Sequence, residues 1–267
     1  MIIAQLSDPH IAAPNTEFDA LYKTSEKLKT AIKSINRLKN KPDLIMITGD
    51  LVNCGEEAEY KILKSILKEL DIPCYLGIGN HDCRETFQAV FSDQGYLPEN
   101  GFVHYSIEQE NLRLIMLDTN IFQAPQGVLC PERLAWLDKT LSEKPDMPTL
   151  LFMHHPPFKT GIKTMDNMGL EEAKAFGQVV EKHDQVIRIF CGHLHRPIQS
   201  VFHGTPVQVC PSTSHRVMLC LEGDETLATT SEPPEILLHV WDGNNLVTHS
   251  MPTADYEILW KLEGELY

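Results

Sequence analysis

No apolar stretch in this 267-residue chain approaches the length that a membrane-spanning helix requires, so a membrane partner is not expected. Positive charge is scarce. The chain has 23 lysines and arginines against 37 aspartates and glutamates, a formal net charge of −14 at pH 7. A surface of that sign repels polyanions, which argues against long nucleic acid as a partner. A small phosphate ester stays open, because a bound cation inverts the local field. A basic leader is also missing: Met1-Ile2-Ile3-Ala4-Gln5-Leu6 runs straight into a strand-like pattern, which predicts no secretory signal. The seven cysteines are odd in number and lack the spacing of a disulfide framework, so reduced thiols and a cytoplasmic location are expected. Cys54 and Cys83 lie close to metal-ligand residue types but read as small packing residues. Neither an internal repeat nor a low-complexity tract is present.

What the chain does have is six short apolar runs, each ending in polar groups of metal-ligand type. Residues 2–6 lead into Asp8-Pro9-His10, 44–47 into Gly49-Asp50, and 74–78 into Gly79-Asn80-His81-Asp82. Residues 114–117 lead into Asp118-Thr119-Asn120, 150–153 into His154-His155, and 186–190 into Gly192-His193-Leu194-His195. Short apolar runs bounded by turn residues read as buried strands. Open α/β sheets place ligand sites at the carboxyl ends of such strands. One sheet edge is thus predicted to gather Asp, His and Asn side chains from distant parts of the chain.

Helical periodicity separates these strands. Leu21, Leu28, Ile32, Ile35 and Leu38 share one face; Glu59, Ile62, Leu63, Ile66, Leu67 and Leu70 form a second pattern before Pro73. Pro131 opens a third helix with Leu134, Leu137 and Leu141 inward, and Ala173, Phe176 and Val180 mark a fourth. This alternation predicts an α/β protein with a largely parallel sheet. Residues 102–107 and 112–117 read as a hairpin. After Arg196 the strand-like runs 198–202, 206–210, 217–221, 236–241 and 246–249 have no helices between them, which predicts a second, mostly antiparallel sheet. Polar residues 222–235 read as a loop or flap, and 155–170 as a lid or an inert connection. Tyr256, Ile258, Leu259, Trp260 and Leu262 are expected to cover the core or an interface.

Zinc, iron, manganese and cobalt accept imidazole and carboxylate in mixed sites. Asp8 and His10 flank one residue, so both can face the same side of an extended strand end, and His193 and His195 repeat that spacing. Asp50 offers a carboxylate that can bridge two cations. Asn80 offers only a neutral amide oxygen.

Asp-x-His, Gly-Asp, Gly-Asn-His-Asp, a histidine after an apolar strand, and Gly-His-x-His follow one another in that order. This series resembles the calcineurin-like metallophosphoesterases, and more narrowly the bacterial class III cyclic-nucleotide and glycerophosphodiester phosphodiesterases. The narrower match includes Gly49-Asp50-Leu51-Val52-Asn53-Cys54-Gly55, His154-His155-Pro156-Pro157 and Cys191-Gly192-His193-Leu194-His195. It covers residues 1 to about 200 and weakens beyond Pro211.

The resemblance implies a four-layer α-β-β-α sandwich, two packed mixed sheets flanked by helices, with the active site at strand C-terminal ends. It implies one domain over 1–267, with 1–203 as metal-binding core. Residues 204–267 would add second-sheet strands and a cap, substrate-selecting or oligomer segment. It also implies two divalent cations, Fe, Mn, Zn or Co. Asp8, His10, Asp50 and His195 would hold one, and Asp50, Asn80, His154 and His193 the other, with Asp50 as the shared catalytic carboxylate. His81 would act as a catalytic group facing the phosphoryl, and Asn80, His81 and His215 would contact substrate.

The implied reaction is hydrolysis of a small phosphodiester, such as 3',5'-cAMP or a glycerophosphodiester. Two cations about 3.5–4 Å apart clamp the attacking and leaving oxygens, and bound water reaches a pKa of about 7, so that hydroxide attacks. A homo-oligomer is a further expectation. A phosphomonoesterase or protein phosphatase on the same scaffold is the alternative enzyme. A non-catalytic scaffold is disfavoured because no ligand position is missing. His155 is expected to hydrogen-bond to its loop and Asp82 to orient its own turn. Asn53 is read as a turn residue or a substrate contact, and Asp118 as supporting or inert. His104, His183, His203, His239 and His249 are assigned to surface or packing.

Overall fold

Period-two alternation along the central strands sorts their apolar side chains into two cores. In the computed structural model, which describes residues 1–221, 227–254, 257, 259 and 260, Leu114 and Met116 enter one core while Ile115 and Leu117 enter the other. Leu150 and Phe152 likewise part from Leu151 and Met153.

Five strands form the first sheet, in the order Leu246–Pro252, Glu235–Trp241, Ile2–Leu6, Leu44–Thr48, Cys74–Gly77. The last three run parallel, and Glu235–Trp241 is antiparallel to both of its neighbours. The second sheet has six strands: Ile198–Phe202, Thr205–Val209, Val186–Cys191, Thr149–Met153, Leu112–Leu117, Tyr105–Gln109. Its four central strands are parallel and its two edge strands antiparallel.

Ile3, Leu44 and Met46 share a face with Gln5, which reaches Cys191 O, and pack in one core with Leu114, Leu150, Phe152 and Phe190, which joins the sheets face to face. The same core takes Leu28 and Ile32 from helix Thr24–Asn36, Tyr60 and Leu63 from Glu57–Leu67, and Phe87 from Arg84–Val90. On the far face of the second sheet, Leu137 and Leu141 from helix Pro131–Ser142 and Phe176 and Val180 from Ala173–Val180 close the second core. The four-layer α-β-β-α sandwich is therefore present. Phe152 and Phe190 stack between the sheets with centroids 5.1 Å apart, and removing either ring would cost about 3–5 kcal/mol.

Several expectations need correction. Lys23 adopts a left-handed conformation (φ 50°) and splits the first helical pattern into Glu17–Tyr22 and Thr24–Asn36. Leu21 consequently falls off the buried face and is 71% exposed. The strands after Arg196 do not build a separate antiparallel sheet. Two extend the second sheet, whereas Glu235–Trp241 and Leu246–Pro252 extend the first, where Glu235–Trp241 satisfies the backbone edge of Ile2–Leu6 and buries Ile236, Leu237 and Trp241.

Of the run 217–221 only Val217 is in a strand, Arg216–Val217, which pairs with Thr229–Thr230; residues 222–226 lie outside the described residues. The 155–170 connection contains a helical turn, Lys163–Asp166, and meets the strand Leu170–Glu171, which pairs with Gly127–Val128. Leu259 and Trp260 are exposed rather than packed on the core, and Tyr256, Ile258 and Leu262 lie outside the described residues. Among the described residues no helix is long and apolar enough to cross a membrane.

Candidate metal centre

Five of the implied ligand residues sit in left-handed backbone: Asp8 (φ 52°), His10 (45°), Asp50 (47°), His193 (69°) and His195 (54°). Residues other than glycine seldom occupy this region, and each costs of the order of 1–3 kcal/mol, held only where the surroundings over-determine it. Here Asp8 N–H donates to Gly49 O (3.1 Å), His10 N–H to Asp50 O (3.0 Å), and His193 N–H to the Asp8 carboxylate (3.1 Å). Ser212 and Ser214 hydroxyls both donate to Asp8 O, at 2.8 and 2.9 Å. Gly79 is required by proximity: a Cβ there would stand 2.7 Å from His154 Cε1 and collide with Asp50 Oδ1.

The side chains converge. Ligand atoms of Asp8, His10, Asp50 and His195 all lie within 4.8 Å of one another, as do those of His154, His155 and His193. His195 Nδ1 donates to His215 O (3.0 Å), which leaves Nε2 facing Asp8 Oδ1 (3.4 Å) and His10 Nε2 (3.1 Å). His154 Nδ1 donates to Thr48 O (2.7 Å), which turns its Nε2 toward Asn80 Oδ1 (3.1 Å), Asp50 Oδ2 (3.3 Å) and Asp8 Oδ1 (4.0 Å). Carbonyl anchoring of one ring nitrogen to aim the other is the usual support of a metal-binding histidine. Buried His10 Nδ1 and His193 Nε2 have no hydrogen-bond partner. The imidazole, carboxylate and amide donors, the facing nitrogens and these orphaned atoms fit a divalent cation site.

Burial opposes ionisation of Asp50, but His154 and His81 hold its carboxyl well below the usual range. Burial also presses His154 down, yet Asp50 and Asp8 outweigh it and carry the ring to about 9. Burial, reinforced by His154, drives His193 to about 3, and burial takes His10 well below its ordinary value. His81 moves upward: burial works against this, while Asp50 and the Asn53 carbonyl favour the charged ring.

His81 stands at the edge of the cluster. Its backbone N–H donates to Asp50 Oδ1 (2.9 Å), its Nδ1 donates to Asn53 O (2.8 Å), and its ring lies 4.6 Å from that of His10. With Asn53, Cys54, Asn80 and Phe122 it lines a cavity of about 370 Å³. His215 packs 4.4 Å from the His195 ring and stacks on Tyr22 at 4.4 Å.

His155, by contrast, donates from Nε2 to Pro125 O (3.2 Å) and accepts at Nδ1 from the Thr119 hydroxyl (2.8 Å), so both nitrogens are engaged despite its closeness to His193. Asp82 accepts from Gly79 N–H, Leu51 N–H and the Tyr60 hydroxyl, all within its own turn and its neighbours. Asp118 is held by Arg84 at 2.7 and 3.0 Å. Of the histidines assigned to surface or packing, His104 stacks on Trp136 and His239 bonds Gln5 and Thr248, whereas His203 pairs with Glu181 and His249 is exposed.

Thr48, Arg84, Ser212 and Ser214 were not anticipated. The hydroxyl run Ser212-Thr213-Ser214 immediately before His215 is the sequence signal that could have found two of them.

Residues 1–197 match the calcineurin-like phosphoesterase family. This chain belongs to it. It is 37% identical over 259 residues to a probable glycerophosphodiester phosphodiesterase, GpdQ, of Arcobacter nitrofigilis, covering 96% of this chain and 95% of that protein. It is 36% identical over 251 residues to a probable cyclic nucleotide phosphodiesterase of Rhodopseudomonas palustris, covering 91% and 89%. In fold it resembles a dimetal phosphatase from Danio rerio, with a TM-score of 0.70 at 15% identity over 96% of this chain and 97% of that one. The family works with divalent metals, and this phosphoesterase is a hydrolytic enzyme.

Proposed function

We propose that this calcineurin-like phosphoesterase is a dinuclear metal-dependent phosphodiesterase acting on small diesters, a cyclic nucleotide such as 3',5'-cAMP or a glycerophosphodiester. The observation that carries the proposal is the position of Asp50 Oδ2, 3.5 Å from His10 Nε2 on one side and 3.3 Å from His154 Nε2 on the other. One carboxylate oxygen thus faces both halves of the cluster. In this reading Asp8, His10, Asp50 and His195 hold one cation, and Asp50, Asn80, His154 and His193 hold the second. Bound divalent cations, Fe, Mn, Zn or Co, neutralise phosphoryl oxygens and supply a nucleophile at neutral pH.

The chain's own groups orient the substrate. His81 has Nδ1 committed to Asn53 O, so Nε2 is the atom left for a phosphoryl oxygen or the departing alkoxide. Asn80 lines the cavity beside His81, and His215, from the segment after residue 204, packs against the His195 and His10 rings, from where it would contact substrate. The 370 Å³ cavity beside His81 suits a small leaving group. Two relatives above 30% identity, matched over most of their length, carry phosphodiesterase names, which supports diesters over monoesters. A cytoplasmic location and self-association complete the proposal. Thiols at Cys54, Cys74, Cys83, Cys130, Cys191 and Cys210 support the first, and exposed Leu259 and Trp260 the second.

The test is kcat/KM on an aryl phosphodiester and its matching monoester, with wild type and His81→Ala. Diester preference, and collapse of turnover in the variant with metal content kept, is the expected outcome. Monoester preference would replace the proposal with a phosphomonoesterase.

A further inference from the structure

The turn Gly79-Asn80-His81-Asp82 joins the strand Cys74–Gly77 to the helix Arg84–Val90 and has no sheet ladder of its own. Its two ends are tied together from outside. Asn120 Nδ2 donates to Gly79 O (2.6 Å) and to Asp82 O (3.0 Å), bracketing Asn80 and His81. The amide is oriented by its other neighbours: Arg84 Nη2 reaches Asn120 Oδ1 (3.4 Å) and Asn120 O (3.0 Å). Arg133 Nη2 also donates to Asn120 O (3.0 Å), and Asn120 N–H donates to Asp118 Oδ1 (2.9 Å). Asn120 is 1% exposed and reaches the turn only through its side-chain amide.

From this geometry we infer that Asn120 is a positioning residue, which acts on phosphoester hydrolysis by latching the turn that presents His81. The inference rests on the proposed role of His81. A side-chain amide is suited to the task because one NH₂ group carries two donors and spans both carbonyls, whereas a hydroxyl or a carboxylate does not. Arg84, Arg133 and Asp118 preorganise the latch and touch neither the cavity-lining face of His81 nor the proposed ligands. Loss of the latch leaves the turn held by Gly79 N–H to Asp82 Oδ2 (2.8 Å), Asp82 N–H to Gly79 O (3.3 Å) and His81 N–H to Asp50 Oδ1 (2.9 Å), and misplacement by about 1 Å costs on the order of 100-fold in rate.

The experiment is a double-mutant cycle on the full chain at saturating Mn²⁺, reading kcat and KM for an aryl phosphodiester. Asn120→Ala is expected to lower kcat about 10- to 100-fold with KM changed less than threefold. Asn120→Asp keeps the volume and the Arg84 contact but loses the two donors, and is expected to be impaired equally; thermal unfolding of both variants verifies that they fold. In His81→Ala at saturating Mn²⁺, adding Asn120→Ala is expected to change kcat less than threefold, because the catalytic ring that the latch presents is gone and Asn80, the other residue that the latch brackets, is held by the metal it is proposed to bind. Wild-type kcat in Asn120→Asp overturns the latch while leaving His81 its role. Losses that multiply in the double variant overturn positioning through His81 and assign the effect of Asn120 to Asn80 or to the stability of the turn. A His81→Ala variant with wild-type turnover overturns the His81 role first, and the latch with it.

Discussion

His10 and His195 face one another through their Nε2 atoms at 3.1 Å, between the carboxylates of Asp8 and Asp50. The His195 ring has its proton fixed on Nδ1 by the His215 carbonyl, so its Nε2 presents a lone pair to a second imidazole. Asp8, His10, Asp50 and His195 would hold a divalent cation here, which would satisfy the facing nitrogens and carboxylates. The five left-handed residues around it show the backbone strained to bring these atoms together.

Metal binding is accordingly expected to raise stability. Chelation followed by Mn²⁺ at about 100 times its dissociation constant is expected to restore about 2.7 kcal/mol, or roughly 5–10 °C in Tm. His195→Ala should blunt that rise, and calorimetric scans with and without metal check it. An equal Tm in both conditions would contradict the coupling.

Gly79→Ala is expected to lower kcat/KM by at least about 100-fold, since the new methyl must displace Asp50 and His154 together. Gly95 has nothing within 4 Å of such a methyl, and Gly95→Ala is expected to stay within about 0.5 kcal/mol of wild type. Steady-state rates and denaturant midpoints of the pair separate the local clash from a general glycine effect.

Burial lowers His104 from 6.5 to about 4; its Nδ1 accepts from Asp118 N–H at 3.0 Å, so a second proton has no acceptor there. The folded state keeps the ring neutral while the unfolded chain takes a proton below pH 6.5. This contribution is therefore complete above pH 6.5 and is lost as pH falls from 6.5 to about 4. Between pH 7 and pH 5 the loss from this ring is about 2 kcal/mol. Urea unfolding of wild type and His104→Phe at both pH values, with chelator throughout, is expected to show a fall smaller by that amount in the variant. Identical pH dependence would remove His104 as the cause.

The strand-then-ligand order made both the α/β class and the clustering of Asp8, His10, Asp50, His154, His193 and His195 legible, because strand ends in such sheets share an edge. Pairing of Glu235–Trp241 with Ile2–Leu6 was not legible, since alternation marks a strand but not its distant neighbour. Leu21 misled because periodicity does not report a break at Lys23. Arg84 was invisible for a similar reason: at a helix start it reads as a surface charge, and only the fold brings it to Asp118 and Asn120. Left-handed φ values at aspartate and histidine leave no mark in residue type, so the strain at the site emerged only from the backbone.

The central claim is that two divalent cations bridged by Asp50 drive diester hydrolysis. Elemental analysis and diester turnover, measured together on metal-depleted chain during stepwise reconstitution, test it most directly. The account predicts two metal ions per chain at full activity, no turnover without metal, and loss of both ions in Asp50→Ala. Full turnover in the depleted chain, or two ions retained by Asp50→Ala, would contradict it.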